Sequence, residues 1–129
     1  MVMPNIGYDQ QEEIKDGVIH VTITLKTFLA KNDCWLGVPY KDNYILNHEQ
    51  RHFDLVRLVA ERFRRKATSD SLTVEDYNSI LQLQYLKSFT EMNHLQDQYD
   101  AETHGGLDVA AQERWNRRIE EDLKRYGVR

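Results

Sequence analysis

The 129-residue chain predicts an α+β domain, predominantly helical, in which a short N-terminal strand or hairpin packs on three helices. Three observations carry that expectation. The run Val18 to Leu25 alternates apolar and polar residues with period two, as a half-buried strand does. Three later stretches lack Gly and Pro and repeat apolar residues at helical spacing. Gly, Pro and small polar residues cluster between these segments. With 40% hydrophobic residues, residues 1–129 can bury one core, and the length is too short for two ordinary domains.

The β region is expected at about residues 5–30. Ile19, Val21, Ile23 and Leu25 share one face of the strand, and Val18, His20, Thr22 and Thr24 share the other. Asn5 to Gln10 could pair with it across the polar connection Gln11 to Asp16. A lone strand pair is only marginally stable in water, so its apolar face must rest on a helix. Lys31-Asn32-Asp33 and Gly37-Val38-Pro39 are turn-forming, with Trp35 and Leu36 as loop anchors between them. The single cysteine, Cys34, cannot form an internal disulfide and reads as a small buried hydrophobe.

The first helix is expected over about 44–66. It has no Gly or Pro from Tyr44 to Lys66, and Asp42 or Asn43 can cap its start. Ile45, His48, His52, Val56, Val59 and Phe63 form its inner stripe, and Arg51, Arg57, Glu61, Arg64 and Arg65 fall mostly outside. A polar loop, Ala67 to Ser71, follows. Thr73 stands three before Asp76, a capping-box variant that opens a second helix over about 73–104, ended by Gly105-Gly106. Asp108 can cap a third helix over about 108–126, with Trp115, Ile119, Leu123 and Tyr126 as its stripe and Gly127 closing it.

Charge excludes some function classes. A net charge of −4 gives no signal for nucleic acid or for an anionic membrane surface. The basic run Arg62, Arg64, Arg65, Lys66 falls at a helix end, where cations favour the carbonyl pole of the dipole. No apolar run is long enough for stable membrane insertion, and no signal peptide is visible at the N-terminus. Nothing fixes an oligomeric state.

The chemistry concentrates in His48-Glu49-Gln50-Arg51-His52, an H-E-x-x-H sequence. Residues four apart share a helical face, so both imidazoles can close on one zinc ion, with Glu49 beside it as general base to a bound water. Both histidines also fall on the apolar stripe, where an unpaired polar group costs about 1–3 kcal/mol. A metal would partner both at once. Core histidines satisfied by hydrogen bonds remain the alternative.

Catalytic zinc takes three protein ligands, so a third must come from elsewhere. If the first two helices pack antiparallel, the end of the second returns beside His48. Asp100 is the first choice there, with His104, one turn on, as the rival or as its hydrogen-bonding support. Glu102 points away from that face. Tyr99 and Tyr44 are candidate hydrogen-bond donors to an oxyanion. His20 and His94 lie off the site face.

The stretch Ile45 to Asp54, with its H-E-Q-x-H-F-D run, resembles the signature of a bacterial domain family of unknown function whose members are described as secreted zinc-dependent proteases. So does the downstream pattern Gln98-Tyr99-Asp100-Ala101-Glu102-Thr103, then glycine, then Gln112-x-x-Trp115. The resemblance covers most of the chain and is strongest from Trp35 to Leu123. It implies a zincin-like fold and site, His48 and His52 as ligands, Glu49 as base, and export from the cell. The chain departs from the pattern at His104. In the family one residue often separates the Thr from a histidine that directly precedes the glycine; here His104 follows Thr103 at once, which leaves Asp100 the better carry-over.

The activity so implied is hydrolysis of an amide bond in a peptide or protein substrate, with a peptidoglycan cross-link as a further candidate. Zincins commonly align substrate along an edge strand, and Val18 to Leu25 is the candidate strand. The competing expectations are a non-catalytic module stapled by metal, and a metal-free helical protein-interaction module.

Overall fold

The computed structural model describes residues 4–29, 43–69 and 72–128. The chain is mainly helical α+β: strands β1 (Pro4–Lys15) and β2 (Val18–Leu29), then helices α1 (Asn43–Ser69), α2 (Tyr77–Thr103) and α3 (Val109–Tyr126). A short 3-10 turn, His104–Gly106, links α2 to α3. Cys34, Trp35, Leu36, the two turn triplets around them and the capping candidate Asp42 lie outside the described residues.

The hairpin is longer than expected. Gln11 to Lys15 continue β1 instead of forming a connection, and the register runs from Pro4 opposite Leu29 to Lys15 opposite Val18. The turn is Asp16-Gly17, with φ of 54° and 77°. Two consecutive positive φ values give the tight turn whose twist matches paired strands, and Asp-Gly tolerates them. The strand face read from the sequence is the inner one: Ile19 and Ile23 are buried, joined by Ile6 from β1. His20, Thr22 and Thr24 face outward and are exposed.

Helix α1 is the central element. Ile6 packs with Val56, Val59, Ala60 and Met92, while Ile23 packs with Phe63, Ala67 and Leu81. The other flank of α1 receives α3: Leu55 and Leu58 meet Tyr99, Trp115 and Ile119. Along α1 and α2 the partners run in opposite directions. Phe63 meets Tyr85, Val56 clusters with Met92, His52 bonds Gln96, and His48 bonds Asp100. The helices are therefore antiparallel, and α3 runs parallel to α1, since Asn47 reaches Asn116 while Arg65 reaches Tyr126.

The helix ends follow local chemistry. Thr73 and Asp76 satisfy each other as a capping box requires, Thr73 N–H donating to Asp76 Oδ1 at 3.0 Å and Asp76 N–H to Thr73 Oγ1 at 3.3 Å. Residues 74–76 form a turn, so α2 itself starts at Tyr77, four residues later than expected. Asp108 caps α3 by accepting from Ala111 N–H at 3.0 Å, and Gly127 closes it in the left-handed conformation. No described helix is long and apolar enough to cross a membrane.

Candidate metal centre

Most of the three-helix interface is apolar, but one end is not. There, at the start of α1 and the end of α2, the buried residues are His48, His52, Gln96, Thr103 and Gln112, with Tyr99 among them. Helical spacing on α1 places both histidines inward, and the antiparallel return of α2 brings Asp100 to them. His48 Nε2 lies 3.1 Å and His52 Nε2 2.8 Å from the same atom, Asp100 Oδ1. These three residues offer ligand atoms that all lie within 4.8 Å of one another. Both imidazole side chains are almost wholly enclosed, while Asp100 keeps a third of its side chain exposed.

The other nitrogen of each ring faces a glutamine. His48 Nδ1 is 2.7 Å from Gln112 Oε1, and His52 Nδ1 is 3.1 Å from Gln96 Oε1. Amide oxygens only accept, so with the glutamines so oriented each neutral ring carries its proton on Nδ1. Each Nε2 faces the carboxylate, to which it can donate as imidazolium and beside which, as neutral imidazole, it can give its lone pair to a metal. Two imidazole nitrogens and one carboxylate oxygen form a donor set that suits zinc. Nearby, Glu49 Oε2 is buried with no hydrogen-bond partner among the described residues, a costly state for a carboxylate oxygen unless a water or cation reaches it. The residues present therefore fit a divalent metal.

The electrostatics describe the same convergence. Burial pushes the Asp100 carboxyl up, but the hydrogen bonds and positive charge of His48 and His52 outweigh it and hold Asp100 well below the usual carboxylate range. Burial pulls His48 down, yet hydrogen bonds to Asp100 and Gln112, with the negative charge of Glu49 and Asp100, raise it above its ordinary value. The site attracts positive charge at the point where the two Nε2 atoms and Asp100 meet.

Tyr99 has a different role from the oxyanion donor expected of it. It is fully buried, and its hydroxyl donates to the backbone carbonyl of His48 at 2.9 Å while accepting from Gln112 Nε2 at 2.8 Å. A phenol has one proton to give, and this one is committed. Its ring stacks on His48 and meets His52 edge-on. Tyr99 is a positioning residue. Tyr44 is likewise engaged, donating to the carbonyl of Gly106.

His104 does not join the group. It is exposed and takes the left-handed conformation, φ 51° and ψ 49°, as the C-cap of α2. The helix ends at Thr103, so the four-residue spacing that linked His104 to the Asp100 face does not apply. His20 and His94 are exposed too. Arg51, expected on the outer side, is instead drawn between α1 and α3, where it meets Asp54, Asn116 and Glu120.

Gln96, Gln112, Asn116 and Gly106 were missed as parts of the site. The signal for the glutamines was present: each is a polar residue on an otherwise buried face, Gln96 one turn before Asp100 and Gln112 three before Trp115. Gly106 has no such signature. Its role shows only in three dimensions, where a Cβ would lie 3.1 Å from His48 Cγ.

The chain matches no family model, no curated protein and no solved structure. The functional reading accordingly rests on the residues of the site.

Proposed function

We propose that this chain is a zinc-dependent peptidase of the H-E-x-x-H type, belonging to the zincin-like family its motifs resemble and exported as those proteins are described to be. The observation that carries the reading is the meeting of His48 Nε2, His52 Nε2 and Asp100 Oδ1 beside a Glu49 carboxylate whose inner oxygen has no partner.

His48, His52 and Asp100 would hold the ion. Zinc bound there would polarise a substrate carbonyl and lower the pKa of a coordinated water to about 7. Glu49 removes the proton from the attacking water and returns it to the leaving amine. Its Oε2 suits that work, because among the described residues no neighbouring donor competes for the lone pairs. Gln112 and Gln96 hold the two imidazoles, and Tyr99 ties the backbone of His48 to α2. Substrate approaches from the side of Asp100, the one partly exposed member of the ligand set.

A peptide is the substrate class best suited to the fold. Strand β2 runs antiparallel to α1, since its start, Val18 to Val21, lines a cleft with Ala67 and Thr68 while Leu25 lines one with Arg57 and Ala60. Four further strand residues cover about 13 Å and eight helical residues about 12 Å, so the end of β2 reaches the level of His52. A strand edge there can hold an extended peptide by main-chain hydrogen bonds.

The near-complete burial of both imidazoles supports a second reading, a metal staple without catalysis. One experiment separates the two. Zinc-loaded wild type and Glu49→Gln are assayed on a panel of unfolded protein substrates. The peptidase reading expects cleavage by wild type, a loss of about 10²–10⁴-fold in the variant, and equal zinc content in both. Zinc-loaded wild type that cleaves nothing, with Glu49→Gln indistinguishable from it, leaves the staple.

A further inference from the structure

Arg51 occupies a variable position of the H-E-x-x-H sequence, and its guanidinium only donates hydrogen bonds. Its Nε–H points at Asn116 Oδ1, 3.2 Å away, and Asn47 Nδ2 donates to the same oxygen at 3.1 Å. The atom facing them must therefore be the oxygen of the Asn116 amide. Gln112 Nε2, 3.0 Å from that oxygen, must in turn be a donor. The same orientation follows from the other side. Tyr99 spends its only proton on the carbonyl of His48, which can only accept, so toward Gln112 its hydroxyl oxygen accepts.

With its amide nitrogen claimed by two acceptors, Gln112 has only its oxygen left for His48 Nδ1, 2.7 Å away. Nδ1 must carry the proton, and the lone pair of neutral His48 falls on Nε2, the atom aimed at Asp100 and His52. The polarity of the whole chain of bonds is thus fixed at both ends by groups that cannot reverse. His52 lacks such a relay: its partner Gln96 has a buried Nε2 with no partner among the described residues.

We propose that Arg51, acting through Asn116, and Tyr99 together orient the Gln112 amide, set the tautomer of His48 and so determine that this histidine binds metal through Nε2. The inference rests on the metal-site reading above and assigns α3 a part in it, although α3 contributes no ligand. Arg51, Asn116 and Gln112 are positioning residues.

The test uses zinc titration against a competing chelator, with histidine ¹⁵N spectra of the zinc-loaded protein. Wild type is expected to show His48 protonated at Nδ1 and zinc-bound at Nε2. Gln112→Leu is expected to weaken zinc binding about 10–100-fold, the usual effect of losing a partner to a metal-ligating histidine, and Asn116→Leu, which leaves Tyr99 to hold Gln112, by a smaller factor. Asn116→Asp, which keeps the acceptor for Arg51 and Gln112, is expected to bind like wild type. A zinc-bound Nδ1 on His48 in wild type overturns the inference, and that spectrum needs no variant to fold. Equal zinc affinity in wild type, Gln112→Leu and Asn116→Leu overturns it as well, while leaving the metal site standing. Wild type that takes up no zinc at all overturns the metal reading itself, and the inference with it.

Discussion

Tyr99 lies against His48 with ring centroids 4.8 Å apart and planes 19° from parallel, and its hydroxyl donates to the backbone carbonyl of the same residue at 2.9 Å. One side chain thus fixes both the ring and the main chain of a candidate ligand. Removing only the hydroxyl, in Tyr99→Phe, keeps the stack and leaves the buried Gln112 amide one acceptor short. Unmet buried hydrogen bonds cost about 1–3 kcal/mol, so the urea midpoint of the metal-free protein should fall with an unchanged slope. An unchanged midpoint would show that the hydroxyl contributes nothing to stability.

Gly106 has a φ of 96°, and a Cβ there would come within 3.1 Å of His48 Cγ and 3.3 Å of Nδ1. Gly106→Ala therefore combines backbone strain with displacement of the ring. A loss of about 1–3 kcal/mol is expected, with weaker zinc binding. By contrast Gly105→Ala, where the new carbon meets nothing within 4 Å, carries only the strain of φ 65° and should leave zinc affinity as it was. Comparing the two by calorimetry isolates the contact with His48.

Metal should stabilise the fold in step with the logarithm of its concentration. At zinc 100 times its dissociation constant the gain is about 2.7 kcal/mol, and it should appear as a rise in Tm that chelator reverses. Asp100→Ala and His52→Ala each remove a ligand and should abolish the rise together with the bound zinc measured by elemental analysis. Their retention of one zinc per chain would relocate the site.

Acid stability has a source away from the metal. The hydrogen bond from Arg64, against the opposing effect of burial and aided by Arg65, holds the Glu61 carboxyl below its ordinary value. A depressed folded-state pKa gives stability that is present above the unfolded pKa, about 4.3, and lost as pH falls through the folded value. Metal-free wild type should therefore lose stability below about pH 5 more steeply than Glu61→Gln does. Parallel stability curves for the two proteins between pH 3 and 6 would refute this.

The class of fold, the three helices and the inner face of β2 could be read from the chain because period is a local property. Val56, Val59 and Phe63 declare the buried side of α1 wherever α1 packs. The hairpin was underestimated for an equally local reason: Gln11, Glu12, Glu13 and Lys15 look like a loop by composition, yet Asp16-Gly17 is a two-residue turn that extends pairing to its end. His104 leaves the Asp100 face because a left-handed residue stops α2 at Thr103, and helical spacing does not carry past that point. Asp100 could be nominated from its place at the end of α2, since antiparallel packing must return that end to His48. Gln112 and Asn116 could not be assigned their tasks, because which atom of an amide faces which partner depends on Arg51 and Tyr99 together.

His48 and His52 come together once one turn of α1 forms, but Asp100 is 52 and 48 residues from them and Gln112 is 64 from His48. Closing such loops is the slow, entropically opposed part of folding. The nascent chain thus holds two imidazoles in place long before the carboxylate and the orienting amide arrive. Metal capture by the proposed set would then be a late event, and its kinetic signature would be slower escape from the native state, with the speed of reaching that state unaltered.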